Sequence, residues 1–394
     1  MIKVILKKGR DESLRRFHPW VFSGAIAQIQ GSPAEGDIVA VHSAEGDYLA
    51  CGHYQIGSIA VRILSFDADP ATPEFWSDSI ARALAVRQAS IPQDADTDCF
   101  RLVHGEGDGL PGLIIDWYNG VCVMQAHSVG MFRAKSQICE ALRNVFGDRL
   151  KAVYDKSSGT APFKAGLDLI DGYLYKAEGF AKAENVVLEN GNKFYVNWEE
   201  GQKTGFFLDQ RDNRALVGRY AAGRKVLNLF CYTGGFSIYA LNNGALSVDS
   251  VDSSAKAMMM VDRNVALNCC ENHTSICADA IEYLGKVEAG KYDLMIVDPP
   301  AFAKHRGALK NALRAYQRLN AAAISKVAPG GLVFTFSCSQ VVDKITFANT
   351  VFSAAAQTGR SVRILDRLCQ GADHPVSIYH PEGEYLKGLL LYVE

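Results

Sequence analysis

Residues 226–236, V-L-N-L-F-C-Y-T-G-G-F, constrain the fold of this chain more than any other stretch. A short apolar run leads into small and glycine residues, and a helical pattern starts at Phe236. We therefore predict a buried strand, a tight turn and the start of a helix. Gly234 and Gly235 allow a sharp turn and the close approach of a ligand to the backbone. In open α/β sheets, such a turn at the carboxyl end of a parallel strand is where nucleotides bind.

Downstream of residue 200, predicted strands and helices alternate, which is typical of an α/β fold with a doubly wound, mostly parallel sheet. The strand candidates are 226–230, 246–251, 275–278, 294–297 and 332–336, and the helix candidates are 236–242, 254–267, 279–287, 308–327 and 341–358. Two further strand candidates, 362–368 and 387–393, are joined only by a loop. We therefore expect these last strands to pair antiparallel at the edge of the sheet.

The first half of the chain has a different pattern. Residues 1–70 contain short strand candidates separated by glycines, which predicts a small β-barrel. Residues 71–190 mix strand and helix patterns, which predicts an α+β domain. The pair Asn190-Gly191 lies between two strand candidates and predicts a tight hairpin.

Composition limits the class of protein. The hydrophobic fraction of 48% and the charged fraction of 21% fit a globular protein. No apolar run approaches the roughly 20 residues of a membrane-spanning helix, and the N-terminus lacks the apolar core of a signal peptide. We therefore expect a cytoplasmic protein without a membrane partner. The 10 cysteines form no C-x-x-C pair, so we expect free thiols and no metal site.

The net charge of −2 argues against a protein that holds nucleic acid with its whole surface. Two local clusters are nevertheless basic. The first contains Lys3, Lys7, Lys8, Arg10, Arg15 and Arg16, and the second contains Lys304, His305, Arg306, Lys310, Arg314 and Arg318. Each cluster could hold a phosphate backbone or could simply be a solvated surface.

Two aspartates follow predicted strands at the same edge of the sheet. Asp252 ends the second strand, where a carboxylate can accept hydrogen bonds from both hydroxyls of a ribose; alternatively it caps the next helix. Asp279 ends the third strand and has two similar interpretations, an adenine contact or a helix cap. The turn at Gly234 lacks the G-x-G-x-x-G pattern of pyrophosphate sites. A ligand with a ribose and no phosphates therefore fits better.

The segment Asp298-Pro299-Pro300-Ala301-Phe302 follows the fourth strand. Two prolines remove two backbone donors and stiffen the chain where it leaves the sheet. This arrangement places Asp298 at the ligand-binding edge and offers Phe302 as a stacking surface. A simple end of the strand would account for one proline only.

Cys338, in T-F-S-C-S, lies just after the fifth strand at the same edge as Asp298. Most of the cysteines are expected to pack as small apolar residues, and this is the alternative interpretation for Cys338. Its position instead makes it a candidate nucleophile. A thiol there can act as a nucleophile if neighbouring dipoles or cations lower its pKa, and we expect it to be poised as the thiolate.

Together these motifs resemble the class I S-adenosylmethionine-dependent RNA methyltransferases. More specifically, they resemble the ribosomal RNA large subunit methyltransferase I family, which makes 5-methylcytosine in 23S rRNA. This resemblance covers essentially the whole chain. It implies a PUA-like RNA-binding domain (1–70), a central α+β domain (71–190) and a Rossmann-like methyltransferase domain (191–394). The motifs that carry it are H-P-W-V-F-S-G-A, K-T-G-F-F-L-D-Q-R-D-N-R, N-L-F-C-Y-T-G-G-F, S-V-D-S-S, D-P-P-A-F, F-S-C-S and H-P-E-G-E-Y-L-K-G.

The resemblance also implies roles for individual residues. Cys338 would be the nucleophile, and Asp298 would face both the methyl donor and the target base. The cofactor, S-adenosylmethionine, would contact Gln210, Arg211, Asn228, Phe230, Tyr232, Gly234, Asp252, Asp279 and Asp298. The RNA would contact Pro299, Pro300, Phe302, Lys304, Arg306, Lys7, Lys8 and Arg10. The expected partner is 23S rRNA or a large-subunit ribosomal particle, with a second copy of this chain as a further candidate.

The implied chemistry is covalent catalysis, because C5 of cytosine is a poor nucleophile until a thiolate adds to C6. Many RNA cytosine methyltransferases carry a second cysteine after the proline of the fourth strand, where this chain has Ala301. Product release would therefore use another base or water. Two other functions remain open at this point. One is methylation of another rRNA atom, such as guanine N7 or N2, and the other is RNA binding or ribosome assembly without catalysis.

Overall fold

The computed structural model describes residues 1–67, 69–72, 74–91, 96–162, 166–180, 185–303 and 305–394. The chain divides into two compact units. The first unit consists of Met1–Asn185, Val196–Leu208 and Ala372–Gly383, and the second of Val186–Tyr195, Asp209–Gly371 and Glu384–Glu394. The three-domain division with boundaries after residues 70 and 190 stays a prediction. Among the helices in these described ranges, none has the length and apolar character needed to cross a membrane.

The first unit begins with a six-stranded sheet in the order β2-β6-β5-β4-β1-β3. Its strands are β1 (Ile2–Leu6), β2 (Trp20–Phe22), β3 (Ile26–Gln30), β4 (Ile38–His42), β5 (Tyr48–Tyr54) and β6 (Ile59–Ser65), with a short helix α1 (Glu12–Arg15). Alternate side chains such as Val4, Leu6, Val39 and Val41 fill its core. A 3-10 turn at Ser23–Ala25 separates β2 from β3.

The same unit contains a five-stranded sheet in the order β11-β10-β9-β8-β7. The elements are α2 (Glu74–Ser90), β7 (Cys99–His104), β8 (Leu113–Tyr118), β9 (Val121–Ala126), α3 (Val129–Arg133), α4 (Lys135–Phe146), β10 (Ala152–Asp155) and β11 (Gly172–Lys176). Ser128 caps α3 by accepting a hydrogen bond from the Met131 amide at 3.3 Å. This cap starts the helical segment at Val129.

The second unit shows the predicted alternation of strands and helices. After the hairpin of β12 (Val186–Glu189) and β13 (Asn192–Tyr195), the elements are α5 (Arg211–Ala221), β14 (Lys225–Leu229), α6 (Gly235–Asn242), β15 (Ser247–Asp252), α7 (Ala255–Leu267), β16 (His273–Cys277), α8 (Ala280–Lys286), β17 (Leu294–Val297), α9 (Leu309–Lys326), β18 (Gly331–Ser337), α10 (Lys344–Thr358), β19 (Val362–Cys369) and β20 (Lys387–Val393). The Asn190-Gly191 hairpin is confirmed, with Glu189 paired with Asn192.

These strands form one seven-stranded sheet in the order β16-β15-β14-β17-β18-β20-β19. The first five are mutually parallel, and β20 pairs antiparallel with both β18 and β19. The predicted α/β fold with antiparallel last strands is therefore confirmed. The chain order reverses between β14 and β17, and open α/β sheets bind ligands at the carboxyl ends of strands at such a point.

Candidate active site

The turn after β14 is held in an unusual backbone conformation. Phe230, Tyr232 and Gly234 all have positive φ angles, of 57°, 48° and 82°. Bulky residues adopt this region only when their surroundings stabilise it, and such residues cluster at ligand sites. Gly234 is required here, because a Cβ would also lie 3.2 Å from a methyl carbon of Val261. The turn ends directly at the first residue of α6.

Asp252 stabilises this turn from the neighbouring strand. Its Oδ2 accepts a hydrogen bond from the Tyr232 amide at 3.0 Å, and its Oδ1 accepts one from the Ser254 amide at 2.9 Å. The cap of α7 is Ser254, whose hydroxyl accepts from the Ala257 amide, so Asp252 does not cap this helix. Each oxygen of a carboxylate can accept more than one hydrogen bond. Asp252 therefore retains the capacity to bind hydroxyl groups.

Asp279, by contrast, does cap a helix. Its Oδ1 accepts hydrogen bonds from the Ile281 and Glu282 amides, both at 2.9 Å, at the start of α8. The side chain is exposed and its Oδ2 makes neither of these bonds. The cap accounts for an acid at this position, and the adenine contact stays a prediction.

Below the turn, Asn228 belongs to a buried polar chain. Its Nδ2 donates to the Ser237 hydroxyl at 2.9 Å, and that hydroxyl contacts Ser250 at 2.7 Å. Ser250 in turn lies 2.8 Å from Nε2 of His273. The Oδ1 atom of Asn228 is buried and has no hydrogen-bond partner among the described residues. Buried acceptors are normally satisfied, so this oxygen is a candidate ligand contact.

Gln210 connects the start of α5 to the end of β17. Its Nε2 donates to Oδ2 of Asp298 at 2.9 Å, while its Oε1 accepts from Asn213 at 2.6 Å. Burial raises the pKa of Asp298 to about 7, with a further contribution from the negative charge of Asp209. Gln210 and Arg214 act in the opposite direction. The Asp298 carboxyl can therefore both donate and accept a proton near neutral pH.

Sequence reasoning missed Asp209, although it lies within the L-D-Q-R motif. Its Oδ2 accepts a hydrogen bond from the Tyr385 hydroxyl at 2.6 Å. Its Oδ1 is buried without a hydrogen-bond partner in the part of the chain that the structure describes. The acid immediately before a residue assigned to the cofactor loop was the signal that could have identified it.

Arg211 lies in a buried ion-pair cluster. Its Nε is 3.6 Å from Oε2 of Glu189, and Arg214 donates to both oxygens of the same carboxylate at 2.8 and 2.7 Å. The hydroxyl of Tyr239 also contacts Glu189 at 3.0 Å. These contacts give Arg211 a structural role in fixing the hairpin of β12 and β13 to α5. A cofactor contact of Arg211 stays a prediction.

Cys338 follows β18 in a loop that is tied to the loop after β17. The Ser339 hydroxyl donates to the carbonyl of Ala303 at 2.8 Å and accepts from its amide at 3.2 Å. The hydroxyl of Ser337 contacts that of Tyr316 at 3.0 Å. These bonds place the candidate nucleophile and the D-P-P segment at a common edge. The Cys338 side chain is partly buried.

The protonation state of Cys338 differs from the expectation. Burial raises the pKa of its thiol to about 11, and the charges of Asp298 and Asp209 contribute to this rise. A backbone hydrogen bond and, less strongly, Lys387 act in the opposite direction but do not outweigh these causes. The expected lowering of the pKa was therefore wrong for the protein alone. The sequence shows which cysteine ends the strand, but it does not show that two acids lie around it.

The predicted RNA contacts are only partly exposed. Pro299 is buried and Pro300 is exposed, while Phe302 packs on Tyr316 with ring centroids 4.7 Å apart. This contact uses the ring that was predicted to stack on a base. Arg306 is exposed, and Lys304 lies outside the described residues.

In the first unit, the basic N-terminal residues are exposed and lie in the same unit as aromatic residues that sequence reasoning missed. Lys7, Lys8 and Arg10 are all exposed. Phe17 is 50% exposed with a φ of 62°, and its ring lies 5.3 Å from that of Tyr379, which is 52% exposed. Exposed aromatic rings and exposed cations are both features of surfaces that bind single-stranded nucleic acid.

Comparison with known proteins places this geometry in a family. A model described as S-adenosylmethionine-dependent methyltransferase matches residues 100–390, and a PUA-like domain model matches residues 4–66. Ribosomal RNA large subunit methyltransferase I of Shewanella amazonensis is 40% identical over 100% of this chain and 99% of its own. The protein of the same name from Pseudoalteromonas atlantica is 41% identical over 99% of each chain. The chain belongs to the ribosomal RNA large subunit methyltransferase I family.

Solved structures agree on the fold of this methyltransferase. SMU.776, crystallised in complex with SAH, superposes with a TM-score of 0.84 at 22% identity over 100% of both chains. A second structure, of a protein from Streptococcus mutans, has a TM-score of 0.83 at 22% identity over the same coverage. The PUA-like N-terminal domain and the methyltransferase fold are thus confirmed.

The residues at the sheet edge fit S-adenosylmethionine, the cofactor of this methyltransferase family. The turn at Gly234 is tight, since a Cβ there would lie 3.2 Å from Val261. Asp252 offers carboxylate oxygens, and Asn228 has a buried acceptor without a partner among the described residues. Asp298 and Asp209 provide negative charge that suits a sulfonium cation. Neither the turn nor the acids form a phosphate-binding pattern, which agrees with the ligand expected from the sequence.

Proposed function

We propose that this protein transfers a methyl group from S-adenosylmethionine to C5 of a cytosine in 23S rRNA, with Cys338 as the nucleophile. The observation that carries the proposal is that Asp298 and Cys338 directly follow β17 and β18 at the same edge of the sheet, where the carboxylate charge raises the pKa of the thiol. The two groups follow adjacent strands whose loops are bonded through Ser339 and Ala303. The names of the family's members support rRNA of the large subunit as the substrate.

The proton affinities of the two groups define the resting state. The pKa of Cys338 is about 11 and that of Asp298 is about 7. Slightly above neutral pH the thiol is therefore protonated and Asp298 is ionised. A carboxylate beside a thiol can accept its proton at the moment when the sulfur attacks. Asp298 thus supplies the base that Cys338 needs.

The reaction then proceeds by addition, transfer and elimination. As the Sγ–C6 bond forms, the thiol proton passes to Asp298 and on to N3 of the ring, and the double bond shifts to C4=C5. S-adenosylmethionine, when bound, would supply the electrophilic methyl group that C5 receives. A base or water takes the C5 proton, the C5=C6 bond reforms and the sulfur leaves. The N3 proton returns through Asp298 to Cys338, so both groups regain their starting state.

The first unit offers the surface that holds the RNA outside the catalytic site. Lys7, Lys8 and Arg10 would neutralise phosphates, and the rings of Phe17 and Tyr379 would stack on unpaired bases. A base must leave its stack before a thiol can reach C6, which favours single-stranded or locally opened RNA. The local charge also explains how a chain with a net charge of −2 could bind RNA.

The test is mass mapping of 23S rRNA from a strain that lacks this protein. We expect one 5-methylcytosine to disappear, and to return when the wild-type chain is restored. Cys338→Ala should not restore it, because the ring is not activated without the sulfur. The matched control is Cys269→Ala, which removes another free thiol that is exposed and has no assigned role in the site.

Two outcomes would contradict the proposal. Full activity of Cys338→Ala would remove the covalent mechanism and favour methylation of another atom, such as guanine N7 or N2. An unchanged methylation pattern in the deletion strain, combined with no binding of S-adenosylmethionine in calorimetry, would favour an RNA-binding or assembly protein without catalysis.

A further inference from the structure

Lys387 is a buried cation at the edge of the sheet that carries Cys338. It is the first residue of β20 and lies opposite Ser337, the last residue of β18, in the antiparallel register. Only 5% of Lys387 is exposed. Lysine is rarely buried without a partner, because removing an ammonium group from water is energetically costly.

The ammonium group is bonded to the loop that follows the thiol. Its Nζ donates to the carbonyl of Ser339 at 2.6 Å and to the carbonyl of Val342 at 2.7 Å. An ammonium group has three N–H donors, and the third has no acceptor among the described residues. No described carboxylate lies within ion-pair distance of Lys387. Two carbonyl dipoles therefore hold this positive charge without neutralising it.

The charged groups around Lys387 and Cys338 define the role of this cation. Glu384 and Asp343 influence Lys387 from outside hydrogen-bond distance, and Cys338 is the group that affects it most after burial. Burial lowers the pKa of Lys387 to about 8. Around the thiol, Asp298 and Asp209 disfavour the anion, and Lys387 favours it. The buried cation and the thiol are thus coupled in both directions.

We propose that Lys387 is a positioning residue for the methyl transfer: it fixes the loop that carries Cys338 and stabilises the thiolate that forms and leaves in each turnover. The inference rests on the proposed function, since it assigns Lys387 to the same nucleophile. It follows that the neutral amine is the inactive form. The rate of transfer should therefore fall as the pH rises through about 8, where Lys387 loses its charge.

The test measures the thiol directly, without RNA. Cys338 of the full-length protein is alkylated with iodoacetamide over a range of pH, and each cysteine-containing peptide is quantified by mass spectrometry. The exposed Cys269 and Cys277 serve as internal references. In Lys387→Gln we expect the alkylation of Cys338 to slow about tenfold at fixed pH, equivalent to a thiol pKa higher by about one. Glutamine keeps N–H donors for the loop carbonyls, and its fold is checked by thermal melting.

Lys387→Arg keeps the charge at all accessible pH values. We expect alkylation of Cys338 to remain within about threefold of wild type, and we expect the fall in methyl transfer above pH 8 to disappear. A purely structural lysine would give a different result, because Gln and Arg would then alter melting or turnover without changing the pH profile of Cys338. An unchanged alkylation profile in Lys387→Gln would overturn the inference. If Lys387→Gln does not fold, Lys387→Met is measured in the same way.

Failure of this inference can be separated from failure of the proposed function. If Cys338→Ala retains full activity, the thiol is not the nucleophile, whatever the alkylation shows. If Cys338→Ala is inactive and the profile of Cys338 does not respond to Lys387→Gln, only the role of Lys387 is wrong.

Discussion

Replacing Asp209 by asparagine tests the electrostatics of the site with little change in shape. The asparagine side chain would keep an oxygen that can accept the hydrogen bond from Tyr385, now 2.6 Å long. It would remove one negative charge that acts on both Asp298 and Cys338. We expect the pKa values of both groups to fall, because a neighbouring anion opposes the ionisation of each.

The size of the effect follows from the Asp298 carboxyl. Its pKa is raised from 3.8 to about 7, which corresponds to about 4 kcal/mol. Burial is the larger cause and Asp209 the second. A single like charge in a site with an effective dielectric constant of about 20 contributes about 1 to 2 kcal/mol. The pKa of Asp298 should therefore fall by about one, a tenfold change in proton affinity.

The sign of the pH dependence is fixed by the role of Asp298. The ionised carboxylate accepts the thiol proton, so kcat/KM rises with pH through the pKa of Asp298. The groups whose charge or hydrogen bonding is coupled to the protonation of Asp298 are Asp209, Gln210, Arg214 and Cys338. At pH 6 the wild type should show about a tenth of its plateau rate, and Asp209→Asn about half of its own.

The assay is transfer of a labelled methyl group to an RNA fragment. It is measured as kcat/KM between pH 5.5 and 9.5 and fitted with a rise for Asp298 and a fall near pH 8 for Lys387. Each rate is normalised to the limiting rate (plateau) of that variant's fit. Asp212→Asn is the matched control, because Asp212 is an exposed acid in the first turn of α5. The Asp212→Asn variant should show the same rise of kcat/KM with pH as the wild type. If the rise in kcat/KM of Asp209→Asn still has an apparent pKa of about 7, the reasoning is refuted. It is also refuted if Asp212→Asn lowers that apparent pKa by the same amount.

Two further predictions concern the cofactor site. Gly234→Ala should weaken S-adenosylmethionine binding at least tenfold in calorimetry, because φ is 82° and the new Cβ would lie 3.2 Å from Val261. The control Gly285→Ala, which places a Cβ with nothing within 4 Å, should leave the affinity unchanged. Equal affinities of the two variants for S-adenosylmethionine would contradict this account. Asp279→Asn retains a residue that caps helices as well as aspartate does. A loss of affinity in Asp279→Asn at constant melting temperature would therefore show a cofactor contact, and unchanged affinity would leave Asp279 as a helix cap only.

Much of the second unit could be predicted from its sequence, because strand and helix patterns there alternate without interruption. The strand ends also predicted that Asp252, Asp298 and Cys338 lie at one edge of the sheet, since the carboxyl ends of parallel strands share an edge. Their roles in the site stay a prediction. The hairpin at Asn190-Gly191 followed from local turn chemistry, which does not depend on the rest of the fold.

The parts that could not be predicted depend on contacts between distant residues. The raised pKa of Cys338 arises partly from Asp209 and Asp298, which are far from it in sequence. The ion pair between Arg211 and Glu189 joins α5 to the hairpin of β12 and β13. The rings of Phe17 and Tyr379 contact each other although these residues lie near opposite ends of the sequence. No periodicity or spacing in the sequence encodes these contacts.

The most direct test of the central claim is a search for the covalent intermediate. RNA that carries 5-fluorocytosine at the target position is incubated with the protein and S-adenosylmethionine, and the digested complex is analysed by mass spectrometry. Fluorine at C5 cannot leave as a cation, so the elimination step is blocked. We predict that one nucleotide, methylated at C5, remains attached to the peptide containing Cys338 and that Cys338→Ala forms no such adduct. Methylated RNA released from the wild-type protein without any adduct at Cys338 would contradict the covalent mechanism.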